Sequence, residues 1–202
     1  MRRSARGFTI AEMMVGVGII ALLLGLAAPS MGTYLQNSKL ANVTQDFYAG
    51  LQLARAEAIH RNLPVQFVLT DTAVNTANLA NTVVPAVAGH SWVVRAASDP
   101  AATTFVMVEA KAAQEGALNA APAGAQASAT GPAGFAGIVG FNGFGGTSDG
   151  GTYQLDITNP SAGACASGGG PIRCRRIMVT PGGRVSACDP AVVAPDSRAC
   201  QL

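Results

Sequence analysis

Histidine is nearly absent from this chain: two of its 202 residues are His. His60 falls at the end of a helical pattern and His90 in a loop stretch, and neither has an acid nearby in sequence to orient it. General acid–base catalysis therefore finds no candidate. No cysteine precedes Cys165, and the four present lack the C-x₂₋₄-C ligand pairs of a zinc site. The glycines of 140–151 are not followed by Gly-Lys-Ser/Thr, which removes a phosphate loop. Asp149 and Asp156 do not match the spacing of a calcium-binding loop, so turn and strand roles are expected of them. No internal repeat is present. These absences point away from an enzyme, and no cofactor or metal is expected.

What is there begins at the N-terminus. From Phe8 to Ala28 the chain is largely apolar, and Glu12 is its only charge. As a helix this run reaches about 31 Å, enough to cross a bilayer core of about 30 Å. Arg2, Arg3 and Arg6 precede it and favour a cytoplasmic start. Its aliphatic and aromatic side chains favour insertion by about 3–6 kcal/mol together, against about 3 for an acid at mid-membrane. The run is too long for an ordinary secretory signal, contains an acid, and meets Pro29 where small residues should end it. An intramembrane carboxylate needs a partner. If the chain were cut between Gly7 and Phe8, the new α-amine would supply one. At about 4 Å and an effective dielectric near 20, that pair attracts by about 4 kcal/mol before desolvation. Between neighbouring helices the same attraction would set an axial register.

Gly7-Phe8-Thr9-Ile10-Ala11-Glu12, placed directly before a membrane-length run, resembles the class III signal of type IV pilins and pseudopilins. The resemblance implies cleavage after Gly7 by a prepilin peptidase and N-methylation of Phe8. It also implies that Glu12 sets subunit register and that Pro29 kinks the helix. The partners it implies are other pilin or pseudopilin subunits, the peptidase and the bacterial inner membrane. The chain would cross that membrane once, with its C-terminal domain in the periplasm, until it joins a pilus or pseudopilus.

Beyond Pro29 the helix is expected to continue. Leu40, Val43, Phe47, Leu51, Ala54 and Ala58 recur every three or four residues, one face of an amphipathic helix, and Leu63-Pro64 closes it. From Val65 the period becomes two and β-branched residues dominate. Expected strands are 65–70, 91–96, 104–110, 137–142, 152–158, 175–180 and 184–187, with Pro181-Gly182-Gly183 turning between the last two. Trp92 and Phe105 are expected core anchors. The stretches 71–89 and 112–134 read as long loops, the second nearly all small and polar and expected to be mobile.

A long helix followed by antiparallel strands and a C-terminal hairpin resembles the FimT/GspH branch of minor pilins and pseudopilins. The narrower match rests on three segments: Leu51–Ala58, Gly140–Gly145 and Arg175–Val185. The resemblance implies an α+β, pilin-like fold with the long helix packed on an antiparallel sheet domain. Its parts are a leader (1–7), a transmembrane helix (8–28), an amphipathic continuation (29–62) and a β-rich globular domain (63–202).

The formal charge of +2 loses the leader's three arginines on processing and becomes −1. Residues 62–164 are acidic, whereas Arg173, Arg175, Arg176, Arg184 and Arg198 outnumber Asp189 and Asp196 at the C-terminus. Arginines on adjoining strands can neutralise phosphates without reading sequence, so double-stranded DNA is a candidate partner of Arg173, Arg175, Arg176 and Arg184. The plain alternative is that they solvate a face or pair with Asp156 and Asp189. DNA-binding members of the resembled family carry Gly-Arg-x-Arg on the last strand; here Gly183-Arg184-Val185-Ser186 lacks the second arginine. Cys165, Cys174, Cys188 and Cys200 read as two disulfides of an oxidising compartment. Three pairings are open; the sequential one is favoured because each bridge closes a short loop rich in Gly, Pro or Asp.

Overall fold

The computed structural model describes residues 9–72, 74, 79–111 and 124–201. The leader, including Gly7, together with Phe8 lies outside them, as do the side chains of residues 26–30 and hence that of Pro29. The chain divides into two compact units, Met1–Leu35 and Gln36–Leu202.

The first unit is helical from Ile10, where helix α1 (Ile10–Arg61) begins. Thr9 caps it. The Glu12 N–H donates to the Thr9 hydroxyl at 3.2 Å, and the Thr9 N–H donates to the Glu12 carboxylate at 3.4 Å. This reciprocal capping box satisfies two of the donors that a helix start leaves orphaned. Ile10, Met13, Val17, Ile20 and Leu22–Leu24 are exposed in this unit. Among the described residues, no helix is long and apolar enough to cross a membrane.

The second unit is α+β. From Leu40 the helix buries Leu40, Phe47, Leu51, Ala54 and Ala58, each at most 2% exposed. It ends where Asn62 takes a left-handed φ of 51° ahead of Leu63-Pro64. The strands that follow are β1 (Val65–Thr70), β2 (Ala88–Gly89), β3 (Ser91–Ala97), β4 (Phe105–Lys111), β5 (Gln126–Thr130), β6 (Ile138–Phe141), β7 (Tyr153–Thr158), β8 (Arg175–Val179) and β9 (Val185–Cys188). They form two antiparallel sheets, ordered β4-β3-β1-β6 and β2-β5-β7-β8-β9. One core joins the helix stripe to both sheets, with Phe67, Trp92, Val94 and Phe141 from the first and Leu155, Ile157, Ile177 and Val179 from the second. A smaller cluster of Val68, Val83 and Val93 covers the far face of β1 and β3. Those two strands are therefore buried on both faces, and their sequences are almost continuously apolar.

Close packing sets the seat of the helix. A Cβ added at Gly50 would lie 2.9 Å from the Phe67 ring and 3.0 Å from Trp92. Those two rings stack with centroids 5.7 Å apart, and Phe47 tilts onto Phe67 at 6.3 Å. The bare backbone at position 50 lets the helix approach this pair closely.

Two expectations are corrected. The stretches read as long loops contain structure: 71–89 holds the short helix α2 (Leu79–Thr82) and β2, and 112–134 holds β5, while residues 112–123 of the stretch expected to be mobile lie outside the described residues. Gln126–Thr130 was illegible as a strand because its inward residues, Ala127 and Ala129, are small; its pairing with β7 decides its state. Phe105 is not a core anchor. It starts edge strand β4, half-buried beneath the Arg95 guanidinium, which lies 4.4 Å above the ring centroid.

Candidate functional site

At the N-terminal end, Gly7 and Phe8 lie outside the described residues, so the structure bears on Glu12 alone. Its carboxylate sits in the first helical turn, where the helix dipole favours negative charge. One oxygen already accepts the Thr9 N–H. The sequence signal for this role is Thr-x-x-Glu directly before an apolar run, here Thr9 and Glu12.

The four candidate phosphate-binding arginines do not converge. Arg176 faces Asp156 across β7–β8 and binds it through two hydrogen bonds of 2.7 and 3.1 Å. Arg175 reaches the buried Asp189 at 3.5 Å, a carboxylate that also accepts the Ala191 N–H at 3.0 Å. Arg173 and Arg184 are exposed, and Arg184 has no side-chain partner among the described residues. They stand at opposite ends of the β8–β9 hairpin, about 20 Å apart at the rise of a strand. Arg198 pairs with Asp196 through bonds of 3.1 and 2.7 Å, and this guanidinium holds the Asp196 carboxyl down at about 2.

The three segments that carried the narrower resemblance meet at one place. Arg55, on the helix, donates from Nε to the Gly145 carbonyl at 3.0 Å. That carbonyl lies against Gly183 in the β8–β9 turn; a Cβ on Gly183 would strike it and would come within 3.2 Å of Arg55 Nε. Gly183 has φ +74° and Gly145 φ +81°, the left-handed region that side chains disfavour. The Thr147 N–H donates to the Pro181 carbonyl at 2.9 Å, fixing the loop to the turn a second time. A Cβ on Gly145 would meet Ile59 at 2.7 Å. The end of the helix, the loop before β7 and the last hairpin are thus one joint.

The C-terminal segment is closed by disulfides. Cys165 is joined to Cys174 and Cys188 to Cys200. Within the second loop, the Asp189 N–H donates to the Arg198 carbonyl at 2.8 Å.

Elsewhere the chemistry is sparse. His90 Nδ1 lies 2.8 Å from Asp71, an acid that sequence distance concealed. Asp71 is 67% exposed, and among the described residues no third group is bonded to the pair. Asp156 is committed to Arg176, and Asp149 accepts the Gly151 N–H at 2.9 Å. Among the described residues no cluster of acids, histidines and cysteines could hold a metal. Burial and then Asp149 push the Tyr153 hydroxyl well above its ordinary pKa, as for a structural tyrosine.

The family model described as Type II transport protein GspH matches residues 43–183, more than half of the chain. The chain belongs to the GspH family. The GspH match runs from the packed half of α1 to the turn at Gly183, so it includes the whole Arg55 joint. A second model, the prokaryotic N-terminal methylation motif, matches residues 2–28. Together the two matches place this GspH-family chain in the type IV pilin and pseudopilin superfamily. Two crystal forms of the type IV minor pilin FimU from Pseudomonas aeruginosa (strain PAO1) resemble it in structure. One covers 73% of this chain and 90% of FimU at 12% identity and a TM-score of 0.45. The other covers 76% and 90% at 13% identity and a TM-score of 0.47. No curated protein matches the sequence.

Proposed function

We propose that the chain is a minor pilin of a type IV pilus, a structural subunit cut between Gly7 and Phe8 and held in the inner membrane by its first helix before assembly. The observation that carries this reading is the methylation motif over residues 2–28 followed in the same chain by a GspH match over residues 43–183. The exposed apolar side chains from Ile10 to Leu24 suit burial in lipid and then among neighbouring helices. Glu12, anchored on its own helix by Thr9, presents its charge to the amine of an adjacent subunit. Intact-mass measurement of the native protein tests the reading: loss of residues 1–7 and gain of one methyl group are expected. A chain still beginning at Met1 refutes it.

A second reading is favoured by the description of the family model itself: a minor pseudopilin serving protein export through type II secretion. The same processing and packing apply. A deletion strain separates the two, since one predicts loss of pilus-dependent functions and the other loss of exported proteins.

DNA contact, within the pilus reading, rests on the exposed Arg173 and Arg184, because Arg175 and Arg176 are engaged by carboxylates. Binding to a duplex should weaken steeply as salt rises and fall in Arg184→Ala. A flat salt response removes DNA from the account.

A further inference from the structure

Phe144 is 95% exposed, at the tip of the loop that Arg55 and Gly183 brace. It is the one fully exposed aromatic among the described residues of the second unit; Phe47, Phe67, Phe141, Trp92 and Tyr153 are buried. Its backbone is fixed from every side. The Asn142 side-chain oxygen accepts the Phe144 N–H at 3.0 Å and the Gly146 N–H at 3.2 Å. The Gly145 N–H donates to the Asn142 carbonyl at 2.8 Å, and the Asn142 N–H to the Gly146 carbonyl at 2.9 Å. The Ile59 side chain, itself half exposed, lies against Gly145, the residue after Phe144.

A ring 95% exposed buries almost no area in folding, while the backbone that carries it is already ordered, so binding would have only the side-chain rotation left to remove. That is the condition of an interface anchor. The charges around it have one dominant sign. Among the described residues, Arg55 on the helix and Arg184 on the hairpin carry unneutralised positive charge beside the joint, Arg61 is paired with Glu57 at 2.6 Å, and Asp149 follows further along the loop. A site for single-stranded nucleic acid would need further aromatics along a basic groove, and only one ring is exposed here. A protein pocket fits better.

We infer that Phe144 is the anchor by which this domain docks a different subunit of the same assembly, entering an apolar pocket with an acidic rim. The inference rests on the reading of the chain as a pilus or pseudopilus subunit. Arg55 and Arg184 supply the positive border that selects the acidic rim, and Ile59 extends the apolar contact.

The test uses the full chain in its own cells, with the photocrosslinking residue p-benzoylphenylalanine in place of Phe144 and, as a control, in place of Val193, which is 80% exposed. Irradiation should give one adduct from position 144, identified by peptide mass as a different chain with a methylated N-terminus, and none from position 193. In parallel, Phe144→Ala should lower the amount of this chain recovered with sheared filaments by about tenfold or more, while the domain stays folded. Intact mass is read from the same cells. If the chain is processed but position 144 gives no adduct, or crosslinks only to another copy of itself, to DNA or to lipid, the inference fails by itself. Recovery of Phe144→Ala at the wild-type level overturns it as well. If Met1 is retained, the subunit reading fails and the inference falls with it.

Discussion

Gly183→Ala is the sharpest test of the joint between helix, loop and hairpin. The substitution adds one methyl group where φ is +74°, a conformation that costs an L-residue about 1–2 kcal/mol. The new Cβ would also fall on the Gly145 carbonyl, well inside the 3.0 Å that real Cβ contacts respect. That oxygen is backbone and already accepts from Arg55, so it cannot turn aside without breaking the bond. Losing a hydrogen bond from a charged donor adds about 1.5–3 kcal/mol. The expected loss is about 3–5 kcal/mol in urea titrations of the unit from Gln36 onward, with the midpoint falling and the slope unchanged. Gly182→Ala is the matched control: it has open space around its Cβ position and no positive φ, so it should change stability by less than about 0.5 kcal/mol. If Gly183→Ala costs under about 1 kcal/mol, or Gly182→Ala costs as much, the joint does not hold the hairpin in the way described.

The remaining predictions use other parts of the chain. Glu12→Gln keeps an acceptor for the Thr9 N–H but removes the charge, so it should cap the helix and still fail in filament assembly; normal assembly by Glu12→Gln would show that capping alone is needed. Replacing Cys188 and Cys200 together by serine should cost about 3 kcal/mol in the same urea assay, and no loss would mean that the Asp189–Arg198 backbone bond closes the segment unaided. The Tyr153 hydroxyl is raised first by burial and then by Asp149, so the folded state keeps a proton that the unfolded chain releases near pH 10. Its contribution is therefore complete below pH 10 and is lost as pH rises further. Urea midpoints at pH 8 and 11 should differ less in Tyr153→Phe than in the wild type.

Where the sequence was legible, one chemical rule acted locally and repeatedly. The stripe from Leu40 to Ala58 could be read because five large or small apolar residues at helical spacing all turn to one core. Strands β1 and β3 were read from β-branched runs, within a residue of their observed ends. Strand β5 was not, because Ala, Ser and Thr carry little strand preference and its state comes from pairing with β7, well separated along the chain. The candidate site divides the same way. That Arg175 and Arg176 had Asp189 and Asp156 within reach was an open alternative, but only register could choose it, and register placed Arg176 opposite Asp156. The role of Arg55 is not legible in the sequence, because its partner is a backbone carbonyl 90 residues away and carries no side-chain signal. A separation of 19 residues likewise hid Asp71 from His90.

The braced loop also has a mechanical consequence. Traction entering the second unit along its helix would be handed at Arg55 to the main chain of the loop, and from Thr147 to the turn at Pro181. The load would thus arrive at the end of the hairpin nearest Gly183, far from the bridge at Cys188, and the ladder between β8 and β9 would be strained from that end. Endurance under tension would then be governed by how fast that contact opens, a rate and not an equilibrium stability.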